Sequence, residues 1–169
     1  MTDPLPTLQI EILVDSPASF RIGLLGNVVA VSWRGPMNDA AVEQLGRVAI
    51  DLKESAGPVR HSYVHLMTER VQLPDANTRN EIAKILPALT EHVSVVVVLL
   101  EGSGFWSSAL RGFLTGVRVL APRNFDIRAE SSITNVLSWF PAEHEKRSGV
   151  AFSREQLEYL LLEAKSWQK

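Results

Sequence analysis

The first residues that could do chemistry are in the polar loop LPDANTRNEI, from Leu73 to Ile82. Asp75, Asn77 and Thr78 stand there between a strand-like segment and a helix-like one. A phosphate on Thr78 would lie against the free backbone N–H groups of a helix N-terminus, which favours anions. The alternative is that Asp75 or Asn77 caps the helix and Thr78 is a first-turn residue. The preference of Asp and Asn for helix N-caps favours this second interpretation.

A second candidate follows the most apolar run of the chain. Gly102, Ser103 and Gly104 separate that run from a helical pattern, and glycines at a helix start can hold a phosphate through backbone N–H groups. Arg111, on the helix that follows, could bind the same anion. The loop lacks the Lys-Ser/Thr pair of a P-loop and the third glycine of a dinucleotide fingerprint. A tight turn with a serine cap is therefore favoured over an anion site.

The third candidate is the alternating set His61, Tyr63 and His65 on a strand pattern. Side chains two residues apart on a strand project from the same face. Two imidazoles at this spacing could be two metal ligands, but zinc sites take three or four, and no third ligand is suggested by spacing. We expect a polar or helix-covered sheet face, with no metal and no cofactor.

Catalytic motifs are missing from the sequence. No serine stands in a G-x-S-x-G elbow and no paired carboxylates stand out. The chain has no cysteine, which excludes disulfides and thiolate chemistry. The net charge of −2, with no cluster of Lys and Arg, excludes an ordinary nucleic-acid surface. The sequence therefore predicts a protein that is not an enzyme and does not bind nucleic acid.

The length of the chain indicates the number of domains, and its first residues and its longest apolar run indicate where the protein is located. A chain of 169 residues suits one domain. The start, MTDPLPTLQI, lacks the basic and apolar regions of a signal peptide. The apolar run from Val95 to Leu100 is far shorter than the roughly 20 residues that span a bilayer. We expect a cytoplasmic protein without a membrane span.

The apolar pattern predicts the elements that hold these residues. Strands are expected at 8–14, 20–25, 28–33, 59–67, 93–100 and 125–129, with a hairpin at Gly26-Asn27. Helices are expected from Asn38 to Gly57, after the loop at Asp75, at 105–117, and after Ser131 or Ser132. Pro87 predicts a kink or a break near Lys84.

This order predicts an α/β domain over residues 1–141, with a mixed, mostly parallel sheet that starts antiparallel. The polar segment 142–149 is predicted to be a linker. Ser153 opens an S-x-x-Q capping box for a last helix. We expect residues 142–169 to be this linker and a C-terminal helix packed on the domain or on a partner subunit.

The order of the predicted strands and helices and their apolar pattern resemble the STAS family, the anti-sigma-factor-antagonist (SpoIIAA-like) fold, over about Leu8 to Phe140. The segments that carry the resemblance are VSVVVVLLEGSGFWSSALRGFLTG and FDIRAESSITNVLSWF. In the second segment, Phe125, Ile127 and Ser131 or Ser132 fall close to an F-x-I-x-x-S arrangement. The resemblance implies a cytoplasmic domain that binds protein partners, sometimes a nucleotide or lipid, and is not an enzyme.

The resemblance also implies a switch loop. Family members carry D-S-x-G before the second helix, with a phosphorylated serine. Asp75 corresponds to the aspartate, while Ala76 or Asn77 stands at the serine, so Thr78 is the neighbouring hydroxyl. This chain departs from the family pattern at the phosphoacceptor.

Two functions follow as hypotheses. The leading one is a non-enzymatic regulatory module that binds a protein partner. The alternative is a binding protein for a small molecule or lipid, with an apolar pocket near the helix 105–117 and Arg111 reading an anionic group. A homodimer is a further hypothesis, because aromatic residues are enriched at interfaces. Core packing is nevertheless the favoured role for the four tryptophans, Trp33, Trp106, Trp139 and Trp167.

Overall fold

The computed structural model describes residues 8–102, 104–123 and 125–169. Within these ranges the chain forms six strands and five helices. The strands are β1 (Glu11–Asp15), β2 (Phe20–Leu25), β3 (Val28–Trp33), β4 (His61–Thr68), β5 (Val93–Glu101) and β6 (Ile127–Glu130). The helices are α1 (Asp39–Ala56), α2 (Ala76–Thr90), α3 (Phe105–Leu120), α4 (Ile133–Ser148) and α5 (Arg154–Ser166).

The six strands form one sheet in the order β1-β2-β3-β4-β5-β6. The first three strands are antiparallel, and β3 to β6 are parallel. The β2–β3 hairpin closes at Gly26-Asn27, where Gly26 has a positive φ of 59° that suits glycine. The predicted α/β fold, with a mixed and mostly parallel sheet that starts antiparallel, is confirmed.

Helices cover both faces of the sheet. Side chains of α1, α2 and α3 form one core with Val96, Val98 and Leu100 of β5, and α4 and α5 form a second core with Val95, Val97 and Leu99. A strand buried on both faces has no polar side to show, which explains the continuous apolar run of β5.

The C-terminal part corrects one prediction. Residues 142–148, predicted to be part of a linker, are the second half of α4, which runs through Pro141 to Ser148. The reason is His144, which is fully buried and continues the inward face of Phe140. The helix ends at Gly149, in the left-handed conformation that glycine adopts easily.

The last helix packs on the same chain. Leu157, Leu160, Leu161 and Ala164 of α5 are buried in the core beneath β2 to β5. Ser153 and Gln156 form the predicted capping box at its start. Between the two packing modes expected for this helix, the structure shows packing on its own domain.

Helix α2 decides against one of the two effects predicted for Pro87, which were a kink and a break. It runs from Ala76 to Thr90 with Pro87 inside it, so the break considered near Lys84 does not occur. Pro87 lies in the last turn, where its missing N–H removes one bond near the end of the helix rather than interrupting its middle.

Candidate functional site

The loop at Asp75 is a helix cap in this structure. Asp75 is the N-cap of α2, and its Oδ1 accepts a hydrogen bond of 2.8 Å from the Thr78 N–H. That bond holds the pKa of Asp75 below its usual value. The Thr78 hydroxyl donates to Asp39 Oδ1 at 2.6 Å, and Thr78 is 2% exposed. Its hydroxyl is therefore out of reach of a kinase in this conformation, while Asn77 is exposed.

Gly104 of the glycine loop and Arg111 make separate contacts in the structure. Gly104 is the N-cap of α3 and makes no side-chain cap bond, and Ser107 donates to the Gly104 carbonyl oxygen. Arg111 lies about two turns further along α3, where it donates to the Ala129 carbonyl oxygen of β6. A Cβ placed on Gly102 would lie 3.8 Å from a Glu69 carboxylate oxygen, whose charge opposes an anion. Ser103 lies outside the described residues.

The alternating set on β4 shares one face, as the strand spacing predicts. Tyr63 and His65 face α1, α2 and α3, and their rings stack with centroids 6.4 Å apart. His61 borders a neighbouring pocket that Tyr63 also lines. Within the described ranges, no group of three or more His, Asp or Glu side chains could hold a metal ion.

An apolar cavity lies between the sheet and the three helices α1, α2 and α3. Its volume is about 130 Å³. The walls come from the middle of the sheet and from the inward sides of the helices, and include Met67, Leu86, Val98, Phe113, Leu114 and Val117. The cavity lies where the sequence analysis expects a pocket, beside the helix 105–117. Arg111 is absent from its walls, so the expected anion-reading arginine does not reach it.

Two of the residues in the cavity wall have polar side chains. His65 and Tyr63 both line the cavity. Burial lowers the pKa of His65 to about 4 and raises the pKa of Tyr63. Both side chains are therefore neutral near pH 7, and the surface that the cavity presents is almost entirely apolar.

A buried polar cluster that the sequence analysis missed lies on the opposite face of the sheet. His144 Nδ1 is 2.7 Å from Ser62 Oγ, and His144 Nε2 is 3.0 Å from Asn27 Oδ1. Asn27 donates its amide to the Arg60 carbonyl oxygen, so its Oδ1 faces the imidazole and accepts from Nε2–H. Nδ1 therefore accepts from the Ser62 hydroxyl. The signal in the sequence was the helical spacing of Val136, Phe140 and His144.

This serine, histidine and asparagine have the bonding order of a nucleophile, a base and an orienting group. Ser62 and His144 are 0% exposed, however, and neither lines any of the pockets described. Burial, with a smaller effect from His61, lowers the pKa of His144 to about 4. The cluster ties α4 to β4 and to the β2–β3 turn, which is a structural role.

The tryptophans are mainly packing residues. Trp33 and Trp167 are buried in the two cores. Trp106 and Trp139 are partly buried, and their indole N–H groups donate to the Val71 carbonyl oxygen and to Glu130. In the part of the chain that the structure describes, no helix is long and apolar enough to cross a membrane.

The fold and the cavity define an α/β domain with an apolar internal space. No family model matches the chain, and no curated protein matches it. The chain is similar to the crystal structure of an uncharacterized protein from the DUF3478 family with a SpoIIAA-like fold, from Shewanella loihica PV-4. The two chains are 14% identical with a TM-score of 0.48, over 82% of this chain and 98% of that chain.

Proposed function

We propose that this protein binds a small apolar ligand in the cavity between the sheet and helices α1 to α3. The observation that carries the proposal is the cavity of about 130 Å³ with apolar walls. Protein interiors are close-packed and hold few voids larger than a water molecule. Moving the apolar surface of a ligand from water into such a cavity is favourable by about 25 cal/mol per Å² of area buried. A small apolar ligand therefore gains binding free energy from the area that it buries there.

The size of the cavity defines the size of the ligand. An engineered cavity of about 150 Å³ in another protein binds benzene. The part of the ligand that is buried here therefore has roughly six to eight carbon atoms. A longer lipid chain would need the helices to move apart.

The proposal is for binding without chemical conversion. The serine and histidine that could act as nucleophile and base are buried in the opposite core, away from the cavity. His65, which does line the cavity, bonds to Trp33 and has no serine within hydrogen-bond distance among the described residues. A broad esterase and phosphatase screen tests this part, and turnover at a rate above background would contradict it.

The ligand proposal is tested by thermal unfolding with α-methylstyrene, an apolar probe of about the right size. At a probe concentration ten times the Kd, we expect about 1.4 kcal/mol of stabilisation and a rise in Tm of about 3 to 6 °C. Val98→Phe fills the cavity and should abolish the rise. Val119→Phe makes the same change at an exposed position of α3 and should preserve it. An unchanged Tm in the wild type, or an equal rise in both variants, would contradict the proposal.

A second candidate is the regulatory module that binds a protein partner. Helix α3 exposes three large apolar side chains, Phe105 at 88%, Val119 at 79% and Leu120 at 72%. Val119 and Leu120 are neighbours at the end of the helix, and contiguous exposed apolar residues are typical of interaction surfaces. A pull-down with the wild type and with Val119→Ser/Leu120→Ser tests this candidate. A partner captured only by the wild type supports it, and identical captures count against it.

Two further expectations are a homodimer and a cytoplasmic location. Sedimentation of the wild type and of the double-serine variant tests for a homodimer through α3. A cytoplasmic location is tested by cell fractionation.

A further inference from the structure

A second pocket lies beside the apolar cavity, near the C-terminal ends of α1 and α2. Its volume is about 240 Å³. Its rim is formed by exposed residues of the two helices, and its floor is formed by buried residues of the sheet. The rim residues are Ile50, Glu54 and Ala88, and the floor residues are His61, Tyr63 and Val93. We call this space the α1–α2 pocket.

The α1–α2 pocket and the cavity share part of their walls. The residues that line both spaces are Ala49, Tyr63, Leu89 and Val93. None of the described residues that line the cavity is exposed, so a ligand needs an entrance to reach it. The α1–α2 pocket reaches from exposed residues at its rim to side chains that also line the cavity. It therefore offers a path from solvent to the cavity.

The floor of the α1–α2 pocket carries two buried polar side chains. His61 is 5% exposed and Tyr63 is 6% exposed, and in the described part of the chain neither side chain has a hydrogen-bond partner. Their polar atoms are not among those that the fold encloses completely, so they keep contact with open space. That space is the α1–α2 pocket, because the cavity surface is almost entirely apolar and His61 is not part of its wall.

The charges around the α1–α2 pocket favour a neutral ligand group. The charged residues that line it, Lys53 and Glu54, are of opposite sign. Burial lowers the pKa of His61, so its imidazole is neutral at pH 7.5. The C-terminal ends of α1 and α2 carry partial negative charge, which opposes an anion. A hydroxyl group both donates and accepts hydrogen bonds, which suits an imidazole beside a phenol.

We propose that the α1–α2 pocket is the polar entrance of the apolar cavity, and that the ligand is a neutral amphiphile. Its apolar part fills the cavity, and its hydroxyl group bonds to Tyr63 and His61. The inference rests on the ligand-binding function proposed above and names the chemical class of the ligand. It replaces the anionic ligand expected from Arg111 by an alcohol or a phenol.

The groove between α2 and α3 is the alternative entrance. It too shares residues with the cavity, which are Ile82, Leu86, Phe113 and Val117. These shared residues are all apolar, so they offer no partner to a hydroxyl group. The charged residue of this groove, Arg79, is exposed rather than beside the cavity wall. We therefore assign the entrance to the α1–α2 pocket.

The test of the ligand class compares two probes of equal shape. The compound 4-ethylphenol carries a hydroxyl group where 4-ethyltoluene carries a methyl group, and calorimetric titration gives a Kd for each. We measure the ratio of the 4-ethyltoluene Kd to the 4-ethylphenol Kd. Tyr63→Phe should lower this ratio by about 3- to 10-fold, the effect of one net hydrogen bond. Tyr159→Phe removes a hydroxyl outside both spaces and should leave the ratio within about twofold.

The entrance is tested by association rates. Ala88→Phe narrows the α1–α2 pocket, and Ala83→Phe makes the same change on the same helix in the groove beside α3. In stopped-flow mixing with 4-ethylphenol, Ala88→Phe should slow association and Ala83→Phe should not. Equal rates in the two variants, or slowing by Ala83→Phe alone, would overturn the assignment of the entrance.

A measurement on the unmodified protein covers the case in which Tyr63→Phe does not fold. In an imidazole NMR spectrum, 4-ethylphenol should shift the ring signals of His61, and 4-ethyltoluene should shift them much less. His144, in the opposite core, should respond to neither probe. Equal shifts of the His61 signals by both probes would overturn the inference.

The outcomes separate the two proposals. If α-methylstyrene, 4-ethylphenol and 4-ethyltoluene all fail to bind, the ligand-binding function fails, and this inference fails with it. If the probes bind and Tyr63→Phe leaves the ratio unchanged, the cavity binds ligands without a head group in the α1–α2 pocket, so only this inference is overturned. Tighter binding of 4-ethylbenzoate than of 4-ethylphenol would also overturn it, because the benzoate is an anion.

Discussion

Acidification from pH 7.5 to pH 5 should destabilise this protein through its buried histidines. The pKa values of His144 and His65 are lowered to about 4 by burial, against about 6.5 in an unfolded chain. As the pH falls through 6.5, the unfolded chain binds protons that the native protein excludes, so unfolding becomes more favourable. The loss continues until the native imidazoles themselves are protonated near pH 4.

The magnitude follows from these pKa values. For one histidine with a pKa of about 4 in the native state, the loss between pH 7.5 and pH 5 is about 2 kcal/mol. His144 and His65 together give about 4 kcal/mol, which is a large part of the 5–15 kcal/mol typical of a domain. His61, whose pKa is also lowered by burial, changes stability in the same direction.

Urea unfolding at the two pH values measures this loss. With a typical m-value of about 2 kcal/mol per M, the wild-type midpoint should fall by roughly 2 M at pH 5. His144→Gln removes one titrating group and should reduce that fall to about 1 M. His92→Gln, at a partly exposed position, is the matched control. Equal midpoints at both pH values in the wild type, or the same fall in His144→Gln, would refute the reasoning.

Two further predictions concern stability at neutral pH and are measured by urea unfolding. A Cβ on Gly23 would lie 2.5 Å from the Trp167 ring, so Gly23→Ala should cost about 1–3 kcal/mol, whereas Gly116→Ala, in open space on α3, should stabilise by about 0.5–1 kcal/mol. A stable Gly23→Ala protein would contradict the packing described for Trp167. Asp75→Ala removes the cap of α2 and should cost about 0.5–2 kcal/mol, while Asn77→Ala should be neutral; equal effects would place the cap elsewhere.

The fold could be predicted because local patterns determine it. The Gly26-Asn27 turn specifies a hairpin, and the unbroken apolar run of β5 specifies a strand between two helical layers. The extension of α4 was missed because His144 counts as polar in a sequence pattern. It can be buried because Ser62 and Asn27 bond to both of its ring nitrogens. Ser62 is 82 positions and Asn27 is 117 positions away in the sequence, so no local pattern predicts these bonds.

The candidate site was predictable only in part. The common face of Tyr63 and His65 follows from strand spacing. The cavity beside them depends on how far the helices lie from the sheet, which no local pattern encodes. The hydrogen bond from the Trp33 indole to His65 joins residues that are 32 positions apart in the sequence. For Arg111 the sequence predicted a ligand contact that the structure does not show. Its side chain donates a hydrogen bond to the Ala129 carbonyl oxygen instead.

The most direct test of the ligand-binding cavity is a map of intermolecular NOEs between α-methylstyrene and methyl groups of the protein. We expect NOEs to Val98, Leu114 and Val117, whose side chains line the cavity. NOEs confined to Val119 and Leu120, on the exposed part of α3, would mean that the probe only adheres to the surface. That result, or no NOE to any methyl group, would contradict the proposed function.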